Sequence, residues 1–182
     1  MPSRPVFGVL ALAACSGGAA NPPSPDICEV DQPSPGSTAE IGTGTVAFEP
    51  LVEGQELPIH TGPQGGHHII THARMTGLDQ GDVTAPGDPG NPNTTFCAFR
   101  EDGSPVHLQP ISYDLGYEAE GDAFVLPTGR FLLLQDAIVD QLYGERLRIT
   151  VAVRDDAGHA AFGEHTIVAV PLDEATDALT PR

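Results

Sequence analysis

An apolar alternation of period two, broken at short intervals by glycine and proline, constrains this chain more than any other feature. Residues 146–153 read Arg-Leu-Arg-Ile-Thr-Val-Ala-Val, so Leu147, Ile149, Val151 and Val153 share one face while Arg146, Arg148 and Thr150 share the other. Successive side chains of a strand point to opposite faces, whereas a helical stripe repeats every 3.6 residues, so the segment reads as a half-buried antiparallel strand. Arg154-Asp155-Asp156-Ala157-Gly158 then supplies turn chemistry, and the alternation resumes over 159–170, ending Thr166-Ile167-Val168-Ala169-Val170. The two segments form a hairpin at the end of the patterned region. Pro171 stops it, having no N–H to donate.

Earlier strands are expected at 44–48, 56–60, 67–75, 94–100, 106–113, 123–126 and 131–134, each fenced by Gly, Pro, Asp or Asn. With 18 Pro and 21 Gly in 182 residues, this punctuation predicts an all-β fold, an immunoglobulin-like β-sandwich of about eight or nine antiparallel strands. Gln135-Asp136-Ala137-Ile138-Val139-Asp140-Gln141-Leu142-Tyr143 is compatible with helix. At this length it is a turn or two bridging the sheets.

The alternation begins only after a stretch of different character. Residues 16–40 are crowded with Ser, Gly, Pro and Ala and carry few large apolar groups. Such a segment buries too little surface to offset its ordering entropy and reads as a spacer, partly extended by its prolines. The expected organisation is therefore residues 15–40 as tether, 41–172 as one β-sandwich domain and 173–182 as a flexible tail. A domain of about 130 residues buries about two-thirds of its unfolded surface.

Residues 1–14 hold one cation, Arg4, followed by the apolar run Val-Phe-Gly-Val-Leu-Ala-Leu-Ala-Ala, with no acid. That is a signal-peptide pattern, too short to span a bilayer. It ends in Leu12-Ala13-Ala14-Cys15, which resembles the lipobox of bacterial lipoproteins. The resemblance implies lipidation of Cys15, cleavage before it and anchoring of the chain in the cell envelope. Several acyl chains hold firmly, because each buried CH2 contributes roughly 0.8 kcal/mol and a single chain is marginal. Ser16 rather than Asp follows the cysteine, which by the same resemblance favours the outer membrane. With Cys15 assigned to lipid, Cys28 and Cys97 remain as an even pair in an oxidising compartment and are expected to form a disulfide.

Tyr143, just before the penultimate strand, stands where immunoglobulin-like and fibronectin-III-like sandwiches have a corner tyrosine, and about the last 50 residues resemble that architecture. Trp is absent and Cys28 lies in the tether, so the Cys–Trp–Cys core of antibody domains is not implied. The resemblance concerns architecture and carries no activity. The Gln64-Gly65-Gly66-His67-His68 stretch also resembles a Gln-Gly-Gly-x-His element of proline-rich bacterial lipoproteins, again with no activity attached.

Charge narrows the partners. Eight Arg and no Lys stand against 25 acidic residues, a formal net charge of −17. Nucleic acid and anionic lipid surfaces would be repelled. An envelope protein or other ligand is the expected partner, beside the membrane reached through Cys15.

Four of the seven histidines fall in Ile59-His60-Thr61-Gly62-Pro63-Gln64-Gly65-Gly66-His67-His68-Ile69-Ile70-Thr71-His72. If residues 61–66 form a hairpin loop, His60 and His67 become cross-strand neighbours, with Cβ atoms roughly 5 Å apart. Together with His68 and Met75 they are the candidate metal ligands, and a soft site of His and Met suits copper. His107, His159 and His165 are further candidates. His68 and His72 cannot share an ion, since four residues of strand separate them by roughly 13 Å. The opposing reading is that the glycines serve a tight connection and the histidines decorate a strand.

Calcium is suggested more weakly by Asp79, Asp82 and Asp88 or by Asp155 and Asp156, because ordinary turns need the same residues. No Gly-x-Ser-x-Gly elbow, His-Glu-x-x-His or phosphate loop occurs, and Glu118 with Glu120 sits in what reads as a solvated connection. The leading expectation is a non-enzymatic envelope lipoprotein whose sandwich is a binding module, and the alternative is an envelope copper-binding protein centred on His60 and His67.

Overall fold

The structure, a computed structural model, describes residues 27–30 and 32–172. The expected signal peptide, Cys15, the first part of the tether and the tail from residue 173 lie outside the described residues.

The fold is all-β. Its elements are β1 (Thr38–Thr43), β2 (Glu49–Pro50), β3 (Gln55–Thr61), β4 (His67–Thr76), β5 (Asn93–Arg100), β6 (Ile111–Asp114), β7 (Glu118–Glu120), β8 (Ala123–Val125), β9 (Arg130–Leu133), a 3-10 turn (Asp136–Ile138) running into α1 (Val139–Leu142), β10 (Arg146–Arg154) and β11 (Ala160–Pro171). The β10–β11 hairpin follows the expected alternation, with Leu147 opposite Ile167 and Val153 opposite Ala161. Its turn closes through the Asp155 N–H on the His159 carbonyl at 3.0 Å. The Asp155 carboxylate accepts the His159 N–H at 2.8 Å, and Gly158 takes the positive φ the turn requires.

Pairing continues from β10 to β5 and β6, and from β11 to β3, giving one layer in the order β3-β11-β10-β5-β6. The other layer is built on β4. The first half of β4 pairs with the end of β3 and with β9, and its second half pairs with β1 and β8. A single ten-residue strand thus carries the sheet from one layer into the other. β1 lies across β11 without pairing to it. A Cβ on Gly163 would collide with the Ala39 carbonyl oxygen, so the crossing depends on that glycine.

The space between the layers is filled by the face the alternation marks: Leu147, Ile149, Val151 and Val153, with Phe96, Ala98 and Ile167, against Ile41, Ile69, Met75, Leu126 and Leu132. Each large aliphatic side chain buried this way contributes about 1.5–3 kcal/mol. α1 adds Val139 and Leu142 to the same core, the bridging role expected of residues 135–143.

Several expectations are corrected. There are eleven strands among the described residues, and β3 pairs with β11 in parallel. The two are separated by most of the domain, so no short loop imposes antiparallel direction. Residues 44–48 are not a strand; Gly44 turns the chain at φ +102° and Phe48 folds over Gly42. Of 106–113, only the end joins β6, since Pro105 and Pro110 fence the remainder. Glu118 and Glu120 belong to β7, paired with β8. Tyr143 is 37% exposed, and the buried tyrosine is Tyr117, whose hydroxyl meets Thr94 Oγ1 at 2.7 Å.

The expected boundary at Ile41 and the expected polar outer face of β10 are both revised by one feature. Cys28 is joined by a disulfide to Cys97, with a Cα–Cα distance of 5.7 Å, as the cysteine count predicted. The strap this makes covers the side of β5 and β10 turned away from the core, where Thr150 and Ala152 have no exposed surface. Thr150 Oγ1 donates to the Cys28 carbonyl at 3.2 Å, and the Arg154 guanidinium donates to the carbonyls of Ile27 and Glu29. Ser34 exchanges two hydrogen bonds with Ala160, at 2.8 and 3.0 Å. Segments given to the spacer by composition are therefore part of the folded unit.

Candidate functional site at the β3–β4 hairpin

β3 sends Leu57 and Ile59 into the core and leaves His60 on the other face. The five-residue connection 62–66 is closed by the Gly62 N–H on the Gly66 carbonyl at 2.8 Å, with a second bond from the Gly65 N–H to the Gly62 carbonyl at 2.9 Å. Gly65 has φ +84°, a conformation side-chain-bearing residues rarely adopt.

This loop sets the register: His60 stands opposite His68, and Thr61 opposite His67. The expected loop of 61–66 is one residue too long, and a slip of one residue moves a side chain to the other face. His60 and His68 are thus the cross-strand pair, with ring centroids 5.5 Å apart and planes inclined by 19°. His67 faces the other way. Its Nδ1 lies 2.8 Å from a carboxylate oxygen of Asp136, which also accepts the His67 N–H at 3.1 Å. These hydrogen bonds hold the Asp136 carboxyl below the usual carboxylate range, and they tie the 3-10 turn to the hairpin.

β9 completes the site from the far side of β4. Leu133 is opposite His68 in the register, and the Phe131 ring lies 4.2 Å from that of His68. Together with His60, Thr61 and the loop residues Gly62, Pro63, Gln64 and Gly66 these side chains line an open trough of 570 Å³. Burial, and secondarily the neighbouring His60 and His67, keep the His68 pKa below the ordinary 6.5. At neutral pH His68 is therefore an uncharged imidazole set in an apolar wall. Such a surface offers stacking faces beside polar ring atoms, which suits a planar or extended group of mixed polarity.

The sequence matches no protein-family model, and no curated protein is significantly similar to it. The site is therefore read from its own chemistry.

Of the candidate ligands, the structure brings His60 and His68 together, sets His107 beside Cys28 and Cys97, and disperses the others. Met75 is fully buried in the core, seven residues along β4 from His68, or roughly 23 Å of strand. His159 meets Asp155 at 3.1 Å. His165 Nε2 lies 2.7 Å from the Leu51 carbonyl oxygen, and its Nδ1 lies 3.3 Å from Glu53. His72 is fully buried, and its Nδ1 accepts the Ala73 N–H at 3.1 Å. Burial holds its pKa, too, below 6.5. Its Nε2 is the one buried side-chain polar atom without a partner among the described residues.

The acidic loop shows turn chemistry. Asp79, Asp82 and Asp88 each accept a backbone N–H two residues on, from Gly81, Thr84 and Gly90 at 2.8–2.9 Å, the pattern that makes Asp common in turns. Asp155 accepts from Asp79 and His159.

Sequence reasoning missed Phe131 and Leu133 as walls of the trough. Their alternation in β9 is visible, but which strand β9 pairs with is not.

Proposed function

We propose that this chain is an exported lipoprotein, anchored in the cell envelope through lipid on Cys15, whose sandwich domain binds a partner or ligand without chemical turnover. The trough at the β3–β4 hairpin is the contact in this reading. The observation that carries it is the buried Cys28–Cys97 disulfide. Structural disulfides belong to oxidising compartments, which agrees with the Leu12-Ala13-Ala14-Cys15 resemblance and with an outer-membrane address. The trough supports the binding half, because apolar walls with a few placed polar groups are the usual make-up of a ligand site.

Labelled palmitate should tag the protein in cells, and Cys15→Ser should abolish the label; a label that survives the substitution refutes the anchor. For the module, a peptide and small-molecule screen read by amide NMR should produce shifts concentrated on residues 60–68 and 131–133. Hits that scatter over other faces refute the trough as the contact.

The second reading, copper binding, is favoured by the register that places His60 opposite His68. It predicts close to one equivalent of Cu(II) retained by the disulfide-intact protein and lost in His60→Ala with His68→Ala. Less than a tenth of an equivalent after metal challenge ends it.

A further inference from the structure

Beneath the strap, on the side of β5 turned away from the core, stands a second constellation. Cys28, Cys97 and His107 each offer one donor atom, and the three atoms lie within 4.8 Å of one another. The residues are 2%, 0% and 6% exposed. Two thiolates and an imidazole are a soft donor set. Ligand atoms about 2.0–2.3 Å from one ion stand roughly 3.5–4 Å apart in a trigonal plane, so the imidazole nitrogen is nearly in place. Only the two sulfurs, joined here, would have to part, and a Cα–Cα distance of 5.7 Å leaves room for that.

We infer that Cys28, Cys97 and His107 form a redox-gated site for one Cu(I) ion, closed while the disulfide is intact and opened by a dithiol. The dithiol gives two electrons and two protons to the disulfide, leaving as its own cyclic disulfide, and Cys28 and Cys97 become thiols. Cu(I) then binds both sulfurs with release of their two protons to solvent, and no further electron is transferred. The complex carries one negative charge. Arg154, bonded to the carbonyls on either side of Cys28, is a cation tied to the strap that can offset it.

His107 is prepared for the change. Its Nδ1 lies 3.1 Å from the Ala98 nitrogen and 2.9 Å from the Ala98 carbonyl oxygen. With Nε2 protonated, Nδ1 accepts from the N–H. With Nε2 given to a metal, Nδ1–H donates to the carbonyl, the outer-shell bond that orients a ligating imidazole. The Phe99 ring meets that of His107 edge-on at 5.3 Å and limits its rotation. Cu(I) suits the group because two thiolates and an imidazole are soft ligands and the site is buried from water.

The test uses the mature chain, reduced anaerobically with a phosphine that is then removed, and titrated with Cu(I) in competition with the chromophoric chelator bicinchoninate. In a His60→Ala, His68→Ala background, one equivalent should be withdrawn from the chelator by the reduced protein and none by the disulfide form. His107→Ala should weaken retention at least tenfold, and Cys97→Ser should abolish it. If reduction removes the strand signal in circular dichroism, stoichiometric Cu(I) must restore it. A reduced, folded chain that leaves all Cu(I) with the chelator overturns the proposal, as does a His107→Ala variant that holds Cu(I) as tightly as the parent, or a lost fold that Cu(I) does not restore.

Discussion

Around Cys28 a strap is drawn onto the outer face of β5 and β10 by a disulfide, by the Thr150 hydroxyl and by the Arg154 guanidinium. At the other site, on the β3–β4 hairpin, two imidazoles and a phenyl ring that is 54% exposed line an open trough. Both regions lie outside the main core and both combine aromatic rings with polar atoms. In the strap the carbonyls of Ile27, Cys28 and Glu29 each accept from a side chain, and a buried group left without a partner costs about 1–3 kcal/mol. At the hairpin, the Phe131 ring keeps half of its surface open while His68 beside it is buried. Hydrogen-bonded closure characterises the strap, whereas the trough leaves one aromatic ring half in water, and the proposed binding role rests on that exposure.

The largest effect that tests this contrast is removal of the disulfide. Cys28→Ser with Cys97→Ser should lower unfolding free energy by about 4 kcal/mol in the chain-entropy model for a sequence separation of 69, read as a shift of the urea midpoint. The His60 and His68 side-chain resonances should stay in place. If they move, the two regions are coupled and the contrast fails.

Acidification should come next. His68 and His72 both have pKa values below 6.5 because burial disfavours the imidazolium. The unfolded chain then takes up protons first, so the stability linked to these groups is complete above pH 6.5 and is lost as pH falls below it. Urea midpoints measured from pH 7.5 to 5 should show this decline, and His68→Gln with His72→Gln should flatten it. An unchanged slope in the double variant would show that other groups set the acid limb.

Thr150→Val should cost about 1 kcal/mol, because it leaves the Cys28 carbonyl without its hydroxyl donor; a neutral result in chemical denaturation would show that the strap is held by the disulfide alone. The smallest effect belongs to the hairpin. Phe131→Ala should change stability by less than about 1 kcal/mol, since half of the ring is already in water, while removing the NMR response of residues 60–68 to any trough ligand. A larger destabilisation would show that Phe131 is a packing residue.

Much of the fold is legible in local pattern. The alternation of Leu147, Ile149, Val151 and Val153 marks the core face directly, and the Asp155-Asp156-Ala157-Gly158 turn follows from residues with local hydrogen-bonding side chains and positive-φ tolerance. The disulfide was legible from cysteine arithmetic. The segment around Cys28 and Ser34 was not, since its order comes from partners more than 100 residues away, Thr150, Arg154 and Ala160. The same is true of β1, which pairs with β4 and crosses β11 only because Gly163 lets the backbones approach.

For the trough, the His-Gly-rich stretch was visible in the residues themselves, but its partners were not. One residue of loop length moved the facing histidine from His67 to His68, and pairing to β9 brought Phe131 beside it. Side-chain alternation, turn chemistry and the parity of the cysteines are properties of neighbours along the chain, so they can be read from the residues in order. Register, the parallel union of β3 with β11 and the meeting of Cys28, Cys97 and His107 depend on which distant segments exclude water together. That choice is made by the packed domain as a whole.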